Sequence, residues 1–166
     1  MDLPRTIPFL HAVFAGSPRY ITDKLQCVLN AEARLVTGTH KFDHGLSHLL
    51  HEKLHWLDIP ECIHYKLGVT VHRCLQNKAP EYLVDFCTPV SDIPSRRHLR
   101  SATRHHLTVP RYWLSTFGRR AFSVAGPTVW NSLLDSLRHP ALTSNSFRQS
   151  LKTNLFRRYH SAHTAQ

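Results

Sequence analysis

The chain has 166 residues, 42% apolar and 19% charged, a composition that predicts one folded chain with a real core and excludes wholesale disorder. Its formal net charge of +10 favours a polyanionic partner, of which nucleic acid is the commonest. No stretch approaches the ~20 consecutive apolar residues that span a bilayer, and Pro8 and His11 interrupt the short apolar run at the N-terminus. We therefore expect an intracellular protein of the nucleus or cytoplasm that is neither secreted nor bound to a membrane.

The first predicted elements are helices. Helical spacing of apolar residues predicts a helix over 20–37, with Thr22 or Asp23 as its cap and Gly38 at its end. Asp43 is expected to open a second, shorter helix, and Asp58 with Pro60 a third that runs to about residue 77. A short fourth helix follows to residue 86. Residues 20–87 are thus predicted to be a helical, bundle-like part that follows a poorly ordered extension over 1–19.

The second half of the chain is predicted to be a separate basic part. A linker rich in Pro and Ser is expected over 88–98, then an α+β part over 99–158 and a tail over 159–166. The runs at 107–109 and 121–124 are expected to pair as a small β-ribbon. Two helices complete this part: one over 127–137, and one that Ser144 or Ser146 caps, with Phe147, Leu151, Leu155 and Phe156 on one face. The predicted fold is therefore mainly α.

The positive charge belongs to this second part. Residues 1–94 contain nine Lys and Arg and ten acids, whereas residues 95–166 contain twelve Lys and Arg and one acid, Asp135. Arg predominates, and its planar guanidinium matches phosphate and stacks on bases. A solvated Arg-rich surface without a partner is the alternative. The predicted nucleic-acid contacts, which include Trp113 as a stacking candidate, are Arg96, Arg97, Arg100, Arg104, Arg111, Trp113, Arg119, Arg120, Arg148, Lys152, Arg157 and Arg158.

Four histidines are the candidates for a metal site: His44, His48, His51 and His55. They fall at i, i+4, i+7 and i+11, so one continuous helix would place them on one face, and His pairs at i, i+4 bind Zn²⁺ or Ni²⁺. The alternative is the solvated side of a short helix. No Cys-x-x-Cys pair accompanies them, and the four cysteines are interpreted as reduced thiols. We predict no resident metal and no other cofactor.

Catalytic motifs are absent from the sequence. Polymerases and many nucleases hold two cations with closely placed acids, yet the chain has no Asp-Asp or Asp-x-Asp pair. It also has no phosphate-binding loop, dinucleotide fingerprint or nucleophile elbow. We predict a protein that is not an enzyme and has no catalytic residues.

Several long motifs, in order, carry a family resemblance. They are LQCVLNAEARLVTG (25–38), LHWLDIPECIHYKLGVTVHRCLQNKAPEYLVDF (54–86), TFGRRAFSVAGPTVWNSLLDSLR (116–138) and SFRQSLKTNLF (146–156). Together they resemble the C-terminal region of reverse transcriptases from LINE-type (non-LTR) retrotransposons, notably jockey-related elements. The resemblance covers roughly residues 18–158, nearly the whole chain.

The resemblance implies an accessory role in contacting RNA or DNA, downstream of the polymerase domain and alongside the rest of the reverse transcriptase. The catalytic carboxylates and the endonuclease of that family lie in parts not represented here, and no zinc knuckle is found. We expect a non-catalytic fragment from a decayed or truncated element. Two alternatives stay open, namely a structural docking module of the polymerase without independent activity and a domesticated protein-interaction domain.

Overall fold

The computed structural model describes residues 14–111 and 118–163, and it describes their side chains except those of residues 119 and 158–163. Within this part of the chain there are seven α-helices and no β-strand, so the mainly α prediction is confirmed. Short 3-10 turns over Val90–Asp92, Gly118–Arg120 and Asp135–Arg138 and a π-helical turn over Leu49–Lys53 lie between them. The helices are α1 (Arg19–Thr37), α2 (Leu46–His48), α3 (Ile59–Leu75), α4 (Glu81–Val84), α5 (Arg100–Thr103), α6 (Phe122–Ser132) and α7 (Ser144–His163).

Helix α3 is the centre of the fold and packs against α1, α6 and α7. Asp58 precedes it and Pro60 lies in its first turn, as the sequence predicts. One side of α3, with Ile63 and Leu67, meets side chains of α1 and α6. The far side, with Gly68 and His72, faces α7, where the His72 ring stacks on Phe147. A helix buried on two sides ties the N-terminal and C-terminal halves of the chain together.

The predicted linker over 88–98 therefore does not separate two cores. Val71 before it shares one buried cluster with Trp130 and Leu151 after it. Val90, within the predicted linker, is itself buried. The two halves differ in charge, but the described residues pack as one unit around α3.

The N-terminal boundary also differs from the prediction. Ala15, which was assigned to a poorly ordered extension, is buried against the cluster that contains Ile63. Helix α1 begins directly after Pro18, and the Thr22 hydroxyl donates back to the Arg19 carbonyl at 2.8 Å instead of capping the helix. Gly38 ends α1 as predicted, because its φ of 67° is the left-handed conformation that glycine adopts without strain.

The predicted β-ribbon is wrong. Residues 122–124 form the first turn of α6, where Phe122 packs against the core instead of pairing in a sheet. Leu107 makes a single bridge with Pro89. The Asn131 side chain binds both the backbone amide and the backbone carbonyl of Leu107. Its Oδ1 accepts from the amide and its Nδ2 donates to the carbonyl, both at 2.8 Å. The Asn131 amide thus makes the two hydrogen bonds to Leu107 that a second β-strand would otherwise make.

Helix α6 begins five residues earlier than predicted and runs through the Gly126-Pro127 pair. Pro127 removes one backbone hydrogen bond, a cost that is tolerated because Pro127 is itself fully buried. Gly126 lies against α3, where an added Cβ would come within 3.1 Å of Val71 Cγ2. The pair therefore permits close helix packing.

Helix α7 confirms the predicted apolar face, since Phe147, Leu151 and Leu155 are buried and Phe156 is half-buried. Its cap is Thr143, and not Ser144 or Ser146, the two predicted candidates. Thr143 Oγ1 accepts from the Ser146 amide at 3.3 Å. The helix continues to residue 163, so the backbone of residues 159–163 is helical and not a separate tail.

Candidate nucleic-acid interface

A turn-rich segment before and through α5 carries the densest group of exposed cations. The amides of Arg96 and Arg97 both donate to the Ile93 carbonyl, at 2.9 and 3.0 Å, which folds the chain into tight turns. Arg100 begins α5, whose Ala102 is buried and anchors the segment to the core. All three Arg side chains are exposed. Since residues 93–134 contain no acid, no acidic residue within this stretch offsets the charge of these guanidinium groups.

Arg104 is also exposed, but it has an acidic neighbour. Its Nε lies 3.7 Å from Asp135 Oδ2, and the two side chains are 60% and 62% exposed. An ion pair this exposed contributes roughly 0–1 kcal/mol, so it does not fix the Arg104 side chain strongly. Arg104 remains a candidate for phosphate contact, with part of its charge offset.

Arg138, unlike Arg104, is buried, and it was not among the predicted contacts. It is 4% exposed. Its Nε donates to the Arg104 carbonyl at 2.9 Å, its Nη1 donates to the carbonyls of Asn131 and Leu133, and its Nη2 contacts Asp135 Oδ1. This guanidinium joins α5, the end of α6 and the following 3-10 turn. Arg138 therefore adds to the net charge of the chain but not to its exposed basic surface.

The predicted cations of α7 divide between two flanks of that helix. Arg148 and Lys152, four residues apart, lie on one flank, and Lys152 Nζ is 5.7 Å from the centre of the Phe156 ring. Arg157 lies on the other flank, beside a concavity of about 290 Å³ that Leu134 and Leu137 also line. A single nucleic-acid strand on one flank of α7 would therefore not reach both groups.

The remaining predicted contacts have different positions. Arg111 is exposed, whereas Arg120 is half-buried and its Nε has no hydrogen-bond partner among the described residues. Trp113 and the side chains of Arg119 and Arg158 lie outside what the structure describes.

A concavity of about 210 Å³ lies between the end of α3, the turn at Pro89 and the segment around His139. His72, His105, Trp130 and His139 are among the residues that line it. The Trp130 indole N–H donates to the His105 carbonyl at 2.9 Å, so this polar group is already satisfied. The volume lies below the roughly 300–1,000 Å³ of ordinary small-molecule pockets.

The four candidate histidines do not share one helix face. The π-helical turn over Leu49–Lys53 breaks the helical register, and His44 precedes the short α2. His51 Nδ1 lies 3.0 Å from the Trp56 carbonyl oxygen and its Nε2 lies 3.6 Å from Asp58 Oδ2, while His44, His48 and His55 are exposed. The Asp58 hydrogen bond raises the pKa of His51. Across the described residues, no three His, Cys, Asp or Glu side chains are grouped to hold a metal ion.

Cys62, Cys74 and Cys87 are buried, and Cys27 is exposed on α1. Burial raises the pKa of Cys62 to about 12, so this thiol is protonated at neutral pH. Contact with Cys74, followed by burial, raises the pKa of Cys87. The contact with Cys87 lowers the pKa of Cys74, but this thiol is 1% exposed and so is closed to a substrate.

Comparison with protein-family models, with curated proteins and with solved structures finds no match to this chain. In the described residues, no helix is long and apolar enough to cross a bilayer.

Proposed function

We propose that the chain is a non-catalytic nucleic-acid-binding segment, whose contact surface is the Arg-rich stretch over 93–111 together with the Arg148 flank of α7. The observation that carries the proposal is the exposure of Arg96, Arg97 and Arg100 within a stretch free of acids. Guanidinium groups bind phosphate oxygens in bidentate pairs, and a cluster of them neutralises successive phosphates.

The proposed contact is directed at the phosphate backbone and tolerates different sequences. Base readout or stacking needs side chains that reach base edges or faces. Among the described residues, the large apolar side chains exposed in this stretch are the aliphatic Leu99 and Val109. Affinity then comes mainly from the release of counterions, so it should fall steeply with salt.

The resemblance to LINE-type reverse transcriptases suggests the setting for this contact. In that setting the segment would hold template RNA or target DNA beside the polymerase during target-primed reverse transcription. The partners would be RNA or DNA and the rest of the reverse transcriptase, in the nucleus or cytoplasm, with no metal or cofactor of its own. The support for this origin is the order and length of the four motifs.

The test is a titration of short fluorescent single-stranded RNA, single-stranded DNA and duplex DNA over a series of salt concentrations. We expect the triple variant Arg96→Gln/Arg97→Gln/Arg100→Gln to bind more weakly and to lose about 2 units from the slope of log K against log salt for single strands. The matched control is Arg19→Gln/Lys41→Gln/Arg73→Gln, which removes the same charge from exposed positions in the N-terminal part. Equal effects of the two variants would refute a localised surface. Weak, salt-insensitive binding of the unmodified chain would refute the function.

A second candidate function, a docking module of the polymerase or a domesticated protein-interaction domain, is favoured by one observation on α1. Val28 and Leu35, two apolar residues of this helix, are 57% and 84% exposed. Leu25 and Leu29 pack against the core on the other side of the helix. A helix with apolar residues on both sides is typical of an element that lies between two surfaces. Size-exclusion chromatography tests it, since a soluble monomer at high concentration would contradict this candidate.

A further inference from the structure

The outward side of α1 is an ordered apolar stripe. Tyr20, Cys27, Val28, Ala31 and Leu35 recur at helical spacing along this side, and all are exposed. Tyr20 and Leu35, at its two ends, are 61% and 84% exposed. Exposed apolar side chains that follow a helical repeat over four turns mark an interaction surface more strongly than isolated ones do.

We propose that this stripe pairs with the same stripe of a second copy, as an antiparallel helix pair about a two-fold axis near residues 27 and 28. A two-fold interface is self-complementary, because each residue meets its counterpart across the axis. Residues whose numbers sum to about 55 then lie opposite each other. Tyr20 of one copy meets Leu35 of the second, and Val28 and Cys27 lie beside the axis.

The charges on α1 fit this arrangement. Lys24 lies within the stripe and Glu32 lies at its edge, both exposed, and the ion pairs found among the described residues involve neither of them. The same two-fold axis brings Lys24 of one copy next to Glu32 of the second, so two equivalent ion pairs flank the apolar contact. Residues 1–94 carry a net charge of −1, so two copies meet at α1 without the repulsion that the basic C-terminal part would produce.

The shape at the end of α1 also fits. A shallow concavity of about 590 Å³ lies beside Leu35, lined by Ala31, Arg34 and Gly38 among others. In the antiparallel pair, Tyr20 of the second copy lies next to Leu35 and can place its ring there. Aromatic residues seated in such depressions are typical anchors of protein interfaces.

The test begins with sedimentation velocity of the full, nuclease-treated chain over a wide range of concentrations. We expect a reversible monomer–dimer equilibrium, and Leu35→Glu should raise its dissociation constant at least about tenfold, because it buries an unpaired charge. The matched control, Leu134→Glu, changes a leucine that is 53% exposed elsewhere and should leave the equilibrium unchanged. Circular dichroism should show the same helix content for all three proteins. A dissociation constant that stays the same in Leu35→Glu would overturn the proposal.

A charge exchange separates a second copy from any other occupant of the stripe. Lys24→Glu and Glu32→Lys should each weaken the dimer, and the double variant should restore it, because the ion pairs form again with reversed sign. Failure of the double variant to recover the dimer would contradict the two-fold register.

Cys27 supplies a direct distance measurement. A short bismaleimide should cross-link two copies through Cys27 near the axis, and Cys27→Ser should abolish the product, because the other three cysteines are buried. A chain that stays monomeric at every concentration, without this product, overturns self-pairing. None of these readouts depends on nucleic-acid binding, so they succeed or fail independently of the proposed function.

Discussion

The imidazole of His72 lies flat against the ring of Phe147, with the ring centroids 4.2 Å apart and the planes 9° from parallel. His72 is 5% exposed, and its Nε2 lies 3.3 Å from the Leu142 carbonyl oxygen. Burial, opposed by that carbonyl, lowers the pKa of His72. The stack joins α3 to α7 at the centre of the molecule, so the protonation of one histidine is coupled to the stability of the core.

We therefore expect His72 to make the protein less stable in mild acid. Its folded pKa lies below the ordinary histidine value of 6.5, so the unfolded chain takes up the proton first as the pH falls through 6.5. His51 acts in the opposite direction, since its raised pKa adds stability below 6.5 that is lost as the pH rises through its folded pKa. Urea unfolding of the unmodified chain and of His72→Phe on both sides of pH 6.5 isolates the His72 contribution.

In this comparison, His72→Phe should lose less stability on acidification than the unmodified chain. The Leu142 carbonyl keeps a donor in the variant, because Gln76 Nε2 also donates to it at 3.2 Å. His98→Phe, at an exposed position, is the control and should keep the original pH dependence. An unchanged acid-side loss in His72→Phe would show that another group is responsible.

Arg138 should be required for folding and not for nucleic-acid contact. Arg138→Met leaves the carbonyls of Arg104, Asn131 and Leu133 without their donor, which costs about 2–4 kcal/mol in the free energy of unfolding. Arg138→Lys keeps the charge but cannot reproduce the planar fork, so it should recover only a part of that loss. Thermal and urea unfolding measure both. Arg97→Met is the matched control, with an expected change within about 0.5 kcal/mol.

Residue type alone could not distinguish these two arginines. Arg97 and Arg138 both belong to the Arg-rich part of the sequence. Only the tertiary structure shows that Arg97 is exposed and that Arg138 is buried. The same limitation applies to α1, because helical spacing of Val28 and Leu35 predicts a helix but does not tell which side of it faces the core. Sequence periodicity reports repetition, whereas burial depends on partners that are distant along the chain.

Helices with strong local signals were predictable. Helix α3 has Asp58 and Pro60 at its start, and α7 has a regular apolar face with a hydroxyl cap within one residue of one of the two predicted candidates. The start of α6 was not predictable, since Phe122 and Val124 favour a strand locally and the packing of Phe122 and Gly126 against the core overrides that preference. The candidate histidines separate for a similar reason, because the π-helical turn at Leu49–Lys53 breaks the continuous helix that would place them on one face.

The contact between α6 and α3 should tolerate little added volume at Gly126. A Cβ there would lie 3.1 Å from both Phe122 Cε2 and Val71 Cγ2, so Gly126→Ala meets one half-buried and one buried side chain at once. Overpacking costs about 1–3 kcal/mol, whereas the gain in helix propensity is about 1 kcal/mol. We expect a net destabilisation of about 1 kcal/mol in urea unfolding. The double variant with Val71→Ala should remove much of the penalty beyond the cost of Val71→Ala itself, and additive effects would contradict a direct contact.

The two flanks of α7 should differ in their contribution to nucleic-acid binding. Arg148 is close enough to His72 to help lower its pKa, and His72 lines the same concavity as His105, one residue after Arg104. Arg157 lies on the opposite flank, beside Leu134. We therefore expect Arg148→Gln to weaken binding and to lower the single-strand salt slope by about 0.7, while Arg157→Gln leaves both nearly unchanged. Fluorescence anisotropy at several salt concentrations measures both quantities. Equal losses in the two variants would indicate a diffuse electrostatic attraction, whereas an effect of Arg157→Gln alone would move the interface to the other flank of the helix.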